Sequence, residues 1–404
     1  MNKTAIIGAG AAGIMAAVIA SENTRIDLFE KNSKIGKKIS VSGNGRCNIS
    51  NANLSSEDYF THNLAFVKYV LKRFGFKDFE RFCKNIALTL TKDEEGRVYP
   101  LSKDARSVIT LLEKKLRERN VKIYTNSKII DIKKQKEGFI IQTESKKYQF
   151  YDKVMLAAGS AAASHLGGGV EGYEIARKLG HDIKTLYPSL VQLELNSKTA
   201  SKMAGVKKYG KISLYIDSEK VQTLKGDILF TNYGVSGLGI LDISQKASFA
   251  LKDKKEVEIG LDLMMEFERA EFENRIKNFC KEFPKYDIET ILYSFISPKI
   301  ACHFLKDLNI DPKKSAKEIN QKLIKKICYY LKDWRFKVKD THGYRYAEVC
   351  GGGIDLSEVN EKNMESKLVK GLYFGGEILD VVGKRGGYNL HFAWASGYLA
   401  GKGI

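Results

Sequence analysis

The first thirty residues alternate between apolar runs and a glycine-rich break. Residues 4–7 form a short run rich in β-branched side chains, residues 11–20 are alanine-rich and favour a helix, and residues 26–30 alternate as a strand does. Three glycines fall between the first run and the helix. The pattern predicts a strand, a tight loop, a helix and a second strand, which is how a parallel α/β sheet begins.

Similar patterns continue to residue 157. Helices are predicted over 63–73, 78–85 and 104–119, and short strands over 121–124, 129–133, 139–143 and 153–157. Strands that alternate with helices indicate a parallel sheet, here with an antiparallel meander inserted before the strand that ends at residue 157.

The pattern changes after residue 187. Strands with turns between them are predicted over 190–195, 211–216 and 227–231, and a charged segment over 264–331 has the spacing of three or four helices. Glycine-rich motifs return between residues 350 and 401. We therefore predict a discontinuous α/β domain, 1–187 with 345–404, and an inserted domain over 188–344. Within the insertion, 188–260 is expected to be mainly β, 261–331 mainly helical and 332–344 a returning strand.

Composition and charge narrow the class of protein. The 404 residues are 43% hydrophobic with only 5 prolines, which fits a globular chain, and 67 basic against 48 acidic residues give a net charge of +19. Most of the excess is spread along the chain, but residues 313–339 hold ten basic residues against two acids. This stretch admits two interpretations: an amphipathic helix with lysines outward, followed by a strand, or a nucleic-acid-binding groove with aromatic residues between the lysines.

Six cysteines lack the C-x-x-C spacing of zinc or redox sites, so we expect no metal, no disulfide framework and a cytoplasmic protein. No run approaches the ~18 apolar residues of a membrane-spanning helix, so a soluble protein without a membrane partner is expected.

The glycines at 8, 10 and 13 carry the strongest chemical signal. They form G-x-G-x-x-G between a predicted strand and helix, and Glu30 ends the next strand 20 residues after Gly10. In this motif the first glycine turns the chain, the second lets the backbone approach a pyrophosphate, and the third lets helix and strand pack closely. Glu30 would accept hydrogen bonds from a ribose diol, and its charge argues against NADP at this site.

A second glycine run at 167–172 does not directly follow a predicted strand. We interpret it as a loop before a helix over 173–179, which leaves one dinucleotide-binding fold. If NAD(P)H is used as an electron donor, it is therefore expected to dock transiently.

Motifs along nearly the whole chain resemble the BaiN/aminoacetone-oxidase family of bacterial flavoproteins, within the glutathione-reductase-like FAD superfamily. They are the glycine motif at 8–13, S-G-N-G-R-C-N at 42–48, G-R-V-Y-P at 96–100, N-Y-G-V-S-G at 232–237, M-E-S-K at 364–367, G-L-Y-F-G-G-E-I-L-D at 371–380 and G-G-Y-N at 386–389. The resemblance implies an α/β fold with a Rossmann-like FAD-binding domain and an inserted domain of β-barrel-like and helical parts.

The resemblance also implies which residues lie at FAD. They are Gly8, Gly10, Ala11, Ala12, Gly13, Glu30, Lys31, Lys38, Gly43, Gly45, Arg46, Cys47, Ile130, Ala158, Gly159, Gly376, Glu377, Asp380, Gly387, Tyr388 and Asn389. The backbone around Ile130 would meet the adenine, Asp380 the ribityl chain, and residues 387–389 the pyrimidine edge of the flavin. A helix N-terminus at that edge would stabilise the negative charge of a reduced flavin.

Several roles stay open at this stage. Cys47 is expected either to pack or to act as a redox partner of the flavin, and Arg46 either to bind substrate or to form a structural salt bridge. The six histidines form no base–nucleophile set, so no catalytic residue is predicted, and His391 is expected on the surface of the last helix.

The function implied is that of an FAD-dependent oxidoreductase. Hydride would pass between flavin N5 and a small organic substrate, and the family's activities include aminoketone oxidation and conjugated-ketone reduction. We leave that choice open, together with the electron partner and the oligomeric state. The alternative is a flavin-dependent RNA-modifying or nucleic-acid-binding protein, suggested by the charge; nucleic acid is the less expected partner.

Overall fold

The computed structural model describes residues 2–145 and 148–404, which divide into two compact units. The first unit contains the chain up to Pro188 together with Glu348–Ile404, and the second is Ser189–Ala347. Each unit has its own hydrophobic core of buried side chains.

The described elements alternate irregularly along the chain. The strands are β1 Lys3–Ile7, β2 Arg25–Phe29, β3 Ser50–Asn51, β4 Tyr59–Phe60, β5 Leu90–Lys92, β6 Arg97–Pro100, β7 Lys122–Tyr124, β8 Ile129–Gln135, β9 Gly138–Thr143, β10 Tyr148–Tyr151, β11 Lys153–Leu156, β12 Ile183–Ser189, β13 Leu193–Leu195, β14 Lys207–Ile216, β15 Glu219–Phe230, β16 Gly234–Ser236, β17 Val257–Asp262, β18 Trp334–Thr341, β19 Val349–Ile354, β20 Leu372–Phe374 and β21 Val382–Gly383. The α-helices are α1 Ala11–Ala20, α2 Lys37–Val41, α3 Leu64–Arg73, α4 Phe76–Asn85, α5 Ala105–Glu118, α6 Glu171–Lys178, α7 Lys198–Lys202, α8 Leu238–Lys252, α9 Arg269–Glu282, α10 Ile288–Leu292, α11 Pro298–Asp307, α12 Gln321–Lys332 and α13 Tyr388–Gly403.

The centre of the first unit is a five-stranded sheet in the order β20-β11-β1-β2-β7. All four neighbouring pairs are parallel. Both faces of such a sheet are covered, which explains why β1 and β11 are apolar runs without strict alternation. The predicted antiparallel meander is present as β8, β9 and β10.

Helices α1 and α13 pack side by side in this unit at unusually close range. A Cβ atom on Gly397 of α13 would lie 2.4 Å from the backbone oxygen of Ala12, and one on Gly401 would lie 2.9 Å from that of Ala16. From the first contact to the second, the position increases by four residues in both helices, so the two helices run in the same direction. This contact ties the N-terminal and C-terminal parts of the unit together.

The second unit combines a closed six-stranded barrel with helices. The barrel order is β13-β16-β15-β14-β17-β18, and its neighbouring strands are antiparallel. Four α-helices, α9 to α12, occupy the segment predicted to be helical. The fifteen-residue helix α8 was not predicted; it begins after the positive φ of Gly237, and Gly239 lets it approach Gly226 of β15. Its mixed apolar and polar sequence has no sharp helical stripe.

His391 corrects an expectation from the sequence. It is fully buried in α13 rather than exposed on its surface. Its Nε2 lies 3.1 Å from the carbonyl oxygen of Phe74 and its Nδ1 lies 2.9 Å from the hydroxyl of Ser50. The carbonyl can only accept, so Nε2 carries the proton and Nδ1 accepts from Ser50. Burial lowers the pKa of His391 from 6.5 to about 4, so the ring is neutral at neutral pH.

This histidine should make the protein sensitive to acid. The unfolded chain takes up a proton near pH 6.5, whereas the folded chain does so only near pH 4. The contribution of neutral His391 to the free energy of unfolding is therefore fully present above pH 6.5. This free energy decreases by about 3 kcal/mol in total as the pH falls toward 4.

We expect His391→Gln, which retains one donor and one acceptor, to flatten this part of the profile by about 3 kcal/mol. Urea unfolding between pH 4 and 7 measures the effect. Parallel stability profiles for the two proteins would show that His391 does not titrate as inferred.

Candidate functional site

A cleft opens at the carboxyl edge of the parallel sheet in the first unit. The ends of β1, β2 and β11 meet there because parallel strands end at the same edge, where ligands bind in open α/β sheets. The lining residues come from eight segments of the chain: Ile7–Ala12, Phe29–Asn32, Lys37–Ile39, Ser127–Ile129, Ala157–Ser160, Leu166–Gly168 with Glu171, Gly172 and Ile175, Gly375–Glu377, and Asn389 with Leu390 and Ala393.

The glycine loop between β1 and α1 has the geometry that its sequence predicts. Gly8 has a positive φ of 103°, and a Cβ atom there would lie 2.2 Å from the backbone oxygen of Ala157. A Cβ atom on Gly13 would lie 1.9 Å from the oxygen of Gly8. At Gly10, in contrast, a Cβ atom would meet nothing within 4 Å. Two glycines therefore hold the loop together, and the third leaves open space at the N-terminus of α1.

Glu30 follows β2 at the edge of this space and is largely buried. One carboxylate oxygen accepts a hydrogen bond from the backbone N–H of Ala9 at 3.0 Å. The other accepts from the backbone and the side-chain amide of Asn32, at 2.8 and 2.7 Å. The carboxylate is thus fixed beside the glycine loop, with its charge in the cleft wall.

Charged side chains from distant parts of the chain pair across the cleft. Lys38 of α2 forms an ion pair with Glu377, whose carboxylate also accepts a hydrogen bond from Ser160. Glu171, at the start of α6, pairs with Lys31 at 3.5 Å and Lys128 at 3.0 Å. Burial raises the pKa of Glu171, but its own backbone hydrogen bond and the two lysines outweigh burial and hold that pKa below its ordinary value.

The N-termini of α1 and α13 both face this cleft, through Ala11 and Ala12 of one helix and Asn389 and Leu390 of the other. Gly397 of α13 lies against Ala12 of α1, so residue 396 is level with Ala11, the first residue of α1. Helix α13 begins eight residues before residue 396, so the starts of the two helices are offset by about 12 Å along their shared direction. The unpaired N–H groups at each helix start favour negative charge. The cleft therefore offers two separate places for anionic groups.

The start of α13 is held by hydrogen bonds to neighbouring segments. Asn389 accepts from the N–H of Gly383 at 2.7 Å and donates to the carbonyl of the same residue at 2.8 Å. The hydroxyl of Tyr59 donates to the carbonyl of Tyr388 at 3.0 Å. These contacts fix the direction of the helix relative to β4 and β21.

Asp380 is buried and its carboxylate contacts His62. The Nδ1 atom of His62 lies 2.5 Å from Oδ2, and the backbone N–H of His62 lies 3.4 Å from the same oxygen. Sequence reasoning did not single out His62, because 318 residues separate it from Asp380 and it belongs to no motif.

The loop over residues 42–48 has an unusual backbone. Four of its residues, Gly43, Asn44, Gly45 and Cys47, have positive φ. Cys47 is fully buried, and burial raises the pKa of its thiol to about 11, so the thiol is protonated at neutral pH. Arg46 is exposed; its guanidinium lies 5.6 Å from the ring centre of Tyr99, and its Nε lies 3.3 Å from the carbonyl of Gly43.

The structure brings together twelve of the residues expected at a cofactor. They are Gly8, Gly10, Ala11, Ala12, Glu30, Lys31, Lys38, Ala158, Gly159, Gly376, Glu377 and Asn389, all on the cleft wall. Gly13 lies behind the loop, and the cleft lining does not include Gly43, Gly45, Arg46, Cys47, Ile130, Asp380, Gly387 or Tyr388. For these residues a cofactor role stays a prediction.

Other wall residues were not anticipated. Ile129 lines the cleft, whereas its neighbour Ile130 is 37% exposed, as expected for alternating side chains of a strand. The glycine run after residue 166 also lines it, through Gly167 and Gly168. Its glycine content was the available signal, but the absence of a preceding strand led to its interpretation as a plain loop.

The wall fits the adenosine and pyrophosphate of FAD. Open space above Gly10, unpaired N–H groups at the start of α1 and a fixed carboxylate at Glu30 match a pyrophosphate followed by a ribose. Gly159 adds a second open position, since a Cβ atom there would meet nothing within 4 Å. The distance from the start of α1 to the start of α13 leaves room for the extended chain that joins the two ring systems of FAD.

A separate cluster of polar and aromatic side chains lies in the second unit. His342 stacks between Tyr233 and Tyr346, with ring centres 3.8 and 4.3 Å apart. Its Nδ1 lies 3.0 Å from a carboxylate oxygen of Glu194. Sequence reasoning did not predict this cluster, since its members come from three segments that are far apart in the sequence.

The described residues contain neither a candidate metal site nor a candidate membrane-spanning helix. No group of three or more histidine, cysteine, aspartate or glutamate side chains there has the arrangement of a metal site. None of the helices in residues 2–145 and 148–404 combines the length and apolarity needed to cross a membrane.

Comparisons with known proteins extend over the whole chain. Residues 2–403 match the family described as HI0933-like protein Rossmann domain. A 3-dehydro-bile acid delta(4,6)-reductase of Clostridium scindens is 34% identical, over 100% of this chain and 98% of the relative. A ribosomal RNA dihydrouridine synthase of Haemophilus influenzae is 30% identical, over 100% of this chain and 98% of that protein.

The fold is shared with the solved structure of a dehydrogenase. The 3-ketosteroid delta1-dehydrogenase of Sterolibacterium denitrificans superposes with a TM-score of 0.52 at 12% identity, covering 100% of this chain and 99% of that one. This likeness shows the fold alone. Together with the match of residues 2–403, it confirms the predicted Rossmann-type FAD-binding fold.

The glycine loop provides a matched pair of variants. We expect Gly10→Ala to change the free energy of unfolding by less than about 1 kcal/mol, because its methyl group meets open space, yet to weaken FAD binding at least about tenfold. Gly13→Ala should instead destabilise the fold by about 2 kcal/mol, because its methyl group meets a backbone oxygen.

Urea unfolding of the apoprotein and FAD titration followed by flavin fluorescence separate the two effects. A Gly10→Ala protein that binds FAD as the parent does would show that the open space is not the pyrophosphate site.

Proposed function

The chain belongs to the family of HI0933-like proteins with a Rossmann domain, and from this we propose that it reduces a carbon–carbon double bond conjugated to a carbonyl group, with FAD as cofactor. Membership confirms the predicted family, and the relative named a reductase supports the oxidoreductase class expected from the sequence. The reaction and its substrate are our proposal.

The observation that carries it is the chemistry shared by the two relatives. A 3-dehydro bile acid with delta(4,6) unsaturation has double bonds conjugated to a ketone. Dihydrouridine forms when the ring double bond of uracil, which is conjugated to a ring carbonyl, gains two hydrogen atoms. In both reactions a hydride equivalent adds to the carbon remote from the carbonyl, and a proton adds to its neighbour. The same kind of hydride transfer from one cofactor site would therefore serve either substrate.

The residues of the cleft would hold and orient the cofactor. The start of α1 and the open space at Gly10 would receive the pyrophosphate, and Glu30 would accept hydrogen bonds from the adenosine ribose. Lys38, fixed by Glu377, would keep a positive charge near the phosphates. When bound, FAD would supply the hydride-transfer chemistry. The start of α13 would stabilise negative charge at the far end of the cleft.

We propose NADH or NADPH as the electron donor, docking transiently. The described residues contain one strand–glycine loop–helix unit of the dinucleotide type, at β1 and α1. The glycine run at 167–172 forms part of the wall of the same cleft, not a second nucleotide fold. The described residues therefore show no second nucleotide-binding fold in which a nicotinamide cofactor would stay bound.

For the substrate, a small conjugated ketone is the first candidate, on the higher identity to the bile-acid reductase. Uridine in ribosomal RNA is the second, favoured by the synthase relative and by the net charge of +19. A cytoplasmic location, which either substrate permits, stays a prediction.

The first experiment reduces the FAD-loaded protein without oxygen. We expect NADH or NADPH to bleach the flavin, and a conjugated ketone such as a 4-en-3-one steroid to restore its colour, whereas the saturated ketone does not. The saturated ketone is the control for any effect of the carbonyl alone. Flavin that both nucleotides leave oxidised, but that an aminoketone reduces, would contradict the proposal and favour an oxidase.

The second experiment tests the RNA substrate. The FAD-loaded protein is incubated anaerobically with NADPH and ribosomal RNA transcribed in vitro, which carries no modified bases. Digestion to nucleosides and mass spectrometry then measure dihydrouridine. Dihydrouridine that forms only with FAD and the electron donor would identify uridine as the substrate. Reduction of the steroid without any dihydrouridine would identify the small ketone as the substrate.

A further inference from the structure

One face of the second unit carries positive charge that none of the described carboxylates compensates. Lys299, His303 and Lys306 follow one another at spacings of four and three along α11, on the side opposite its buried residues. Lys202 at the end of α7 lies close enough to affect His303, whose pKa is lowered by burial and further by Lys306, Lys202 and Lys299. Four nitrogen-bearing side chains thus share one surface.

The next helix extends this surface. The ammonium group of Lys326 on α12 donates to the carbonyl of Leu308, directly after α11, at 2.9 Å. Lys322 and Lys325 are exposed on the same helix, one turn or less away. We call Lys202, Lys299, His303, Lys306, Lys322, Lys325 and Lys326 the basic face.

The lysines of the basic face differ from several lysines elsewhere in this unit that pair with carboxylates. Lys207 pairs with Asp227 at 3.3 Å, Lys313 with Asp287 at 3.1 Å, and Lys314 with Glu318 at 3.3 Å. Among the described residues, none of the six lysines of the basic face has a carboxylate within 4.0 Å. Lys299 and Lys326 donate to the backbone carbonyls of Ala204 and Leu308, which are uncharged, so the positive charge of the basic face is not neutralised within the described residues.

The acidic residue closest in sequence to Lys306 does not neutralise this face. Asp307 accepts hydrogen bonds from the hydroxyl of Thr199 at 2.6 Å and from the indole N–H of Trp334 at 2.9 Å. Both of its oxygens are thereby used to join α11 to α7 and β18. The fold employs its carboxylate internally and leaves the neighbouring lysines uncompensated.

The shape of the face indicates a polyanion. Lys299 and Lys306 are seven residues apart on α11, about 10 Å along the helix, and the charges continue onto α12. A single phosphate could contact only one or two of these groups, whereas a nucleic-acid strand presents phosphates at regular intervals. Lysines suit this role because a phosphate contact needs charge more than fixed geometry.

We propose that the basic face on α7, α11 and α12 binds the phosphate backbone of RNA. This inference deepens the second candidate function, reduction of uridine in ribosomal RNA, and rests on it for the identity of the polymer. It assigns the binding contribution to the inserted unit, whereas the cofactor cleft belongs to the first unit. Phosphate contacts of this kind contribute affinity without reading base sequence.

The test compares two variants of the FAD-loaded full-length protein that have the same net charge. The face variant carries Lys202→Gln, Lys299→Gln, Lys306→Gln and Lys326→Gln. The control variant carries Lys207→Gln, Lys313→Gln, Lys314→Gln and Lys337→Gln, which removes four lysines that are paired with carboxylates. Fluorescence anisotropy with a labelled oligouridylate, without reductant, measures binding over a range of salt concentrations.

We expect the face variant to bind about a hundredfold more weakly at physiological salt and to lower the slope of log K against log salt by about 3, since each phosphate contact in a single strand contributes about 0.7. The control variant should lose much less affinity. Lysine-to-arginine changes at the four face positions should restore binding. Unchanged thermal unfolding and FAD content verify that each variant is folded.

Equal losses in the two variants would overturn the proposal, because net charge alone would then explain binding. Binding of the parent to anionic phosphatidylserine vesicles but not to RNA, lost in the face variant, would overturn it in favour of a membrane surface. Since no turnover is measured, failure to bind RNA is distinguishable from failure to reduce uridine. A protein that binds RNA through this face yet forms no dihydrouridine would retract the second function and leave the interaction surface.

Discussion

The close packing of α1 against α13 is the constraint on which the rest of the first unit depends. Gly397 and Gly401 permit an approach at which any side chain would overlap the backbone of Ala12 or Ala16. The approach sets both helix starts in one cleft with an offset of about 12 Å. The glycine loop, Glu30 and the ion pair of Lys38 with Glu377 are then arranged around these two fixed points.

Local regularity explains how much of the fold could be predicted. Helix α1 was predicted at its observed bounds, and β8, β9 and β11 within one or two residues, because each has a period that its neighbours do not disturb. Helix α8 was missed because its moderately apolar sequence follows a glycine-rich turn typical of β structure. The closure of the barrel was predictable only from the resemblance, since strand order depends on contacts far apart in sequence.

The candidate site likewise contains residues that could be predicted from the sequence and residues that could not. Gly8, Gly10, Gly13 and Glu30 could be predicted because their spacing alone determines their geometry. Long-range partners, such as Ser160 with Glu377 or His62 with Asp380, could not, because no local pattern announces a contact across 217 or 318 residues. His391 was misplaced for a related reason: its surroundings, Ser50 and Phe74, are brought to α13 only by the tertiary fold.

The distance along the chain between α1 and α13 has a consequence for biosynthesis. Helix α1 is buried on nearly all sides, and 367 residues separate its last residue from the first of α13. At about 5–20 residues per second, the ribosome needs roughly 20–70 s to supply the helix that covers it. During that interval the alanine-rich apolar helix α1 lacks its packing partner α13, so we expect chaperones to bind the nascent chain. Six of the residues that line the cleft, Gly375–Glu377 with Asn389, Leu390 and Ala393, lie in this late part of the sequence, so the cleft is complete only after they have been made.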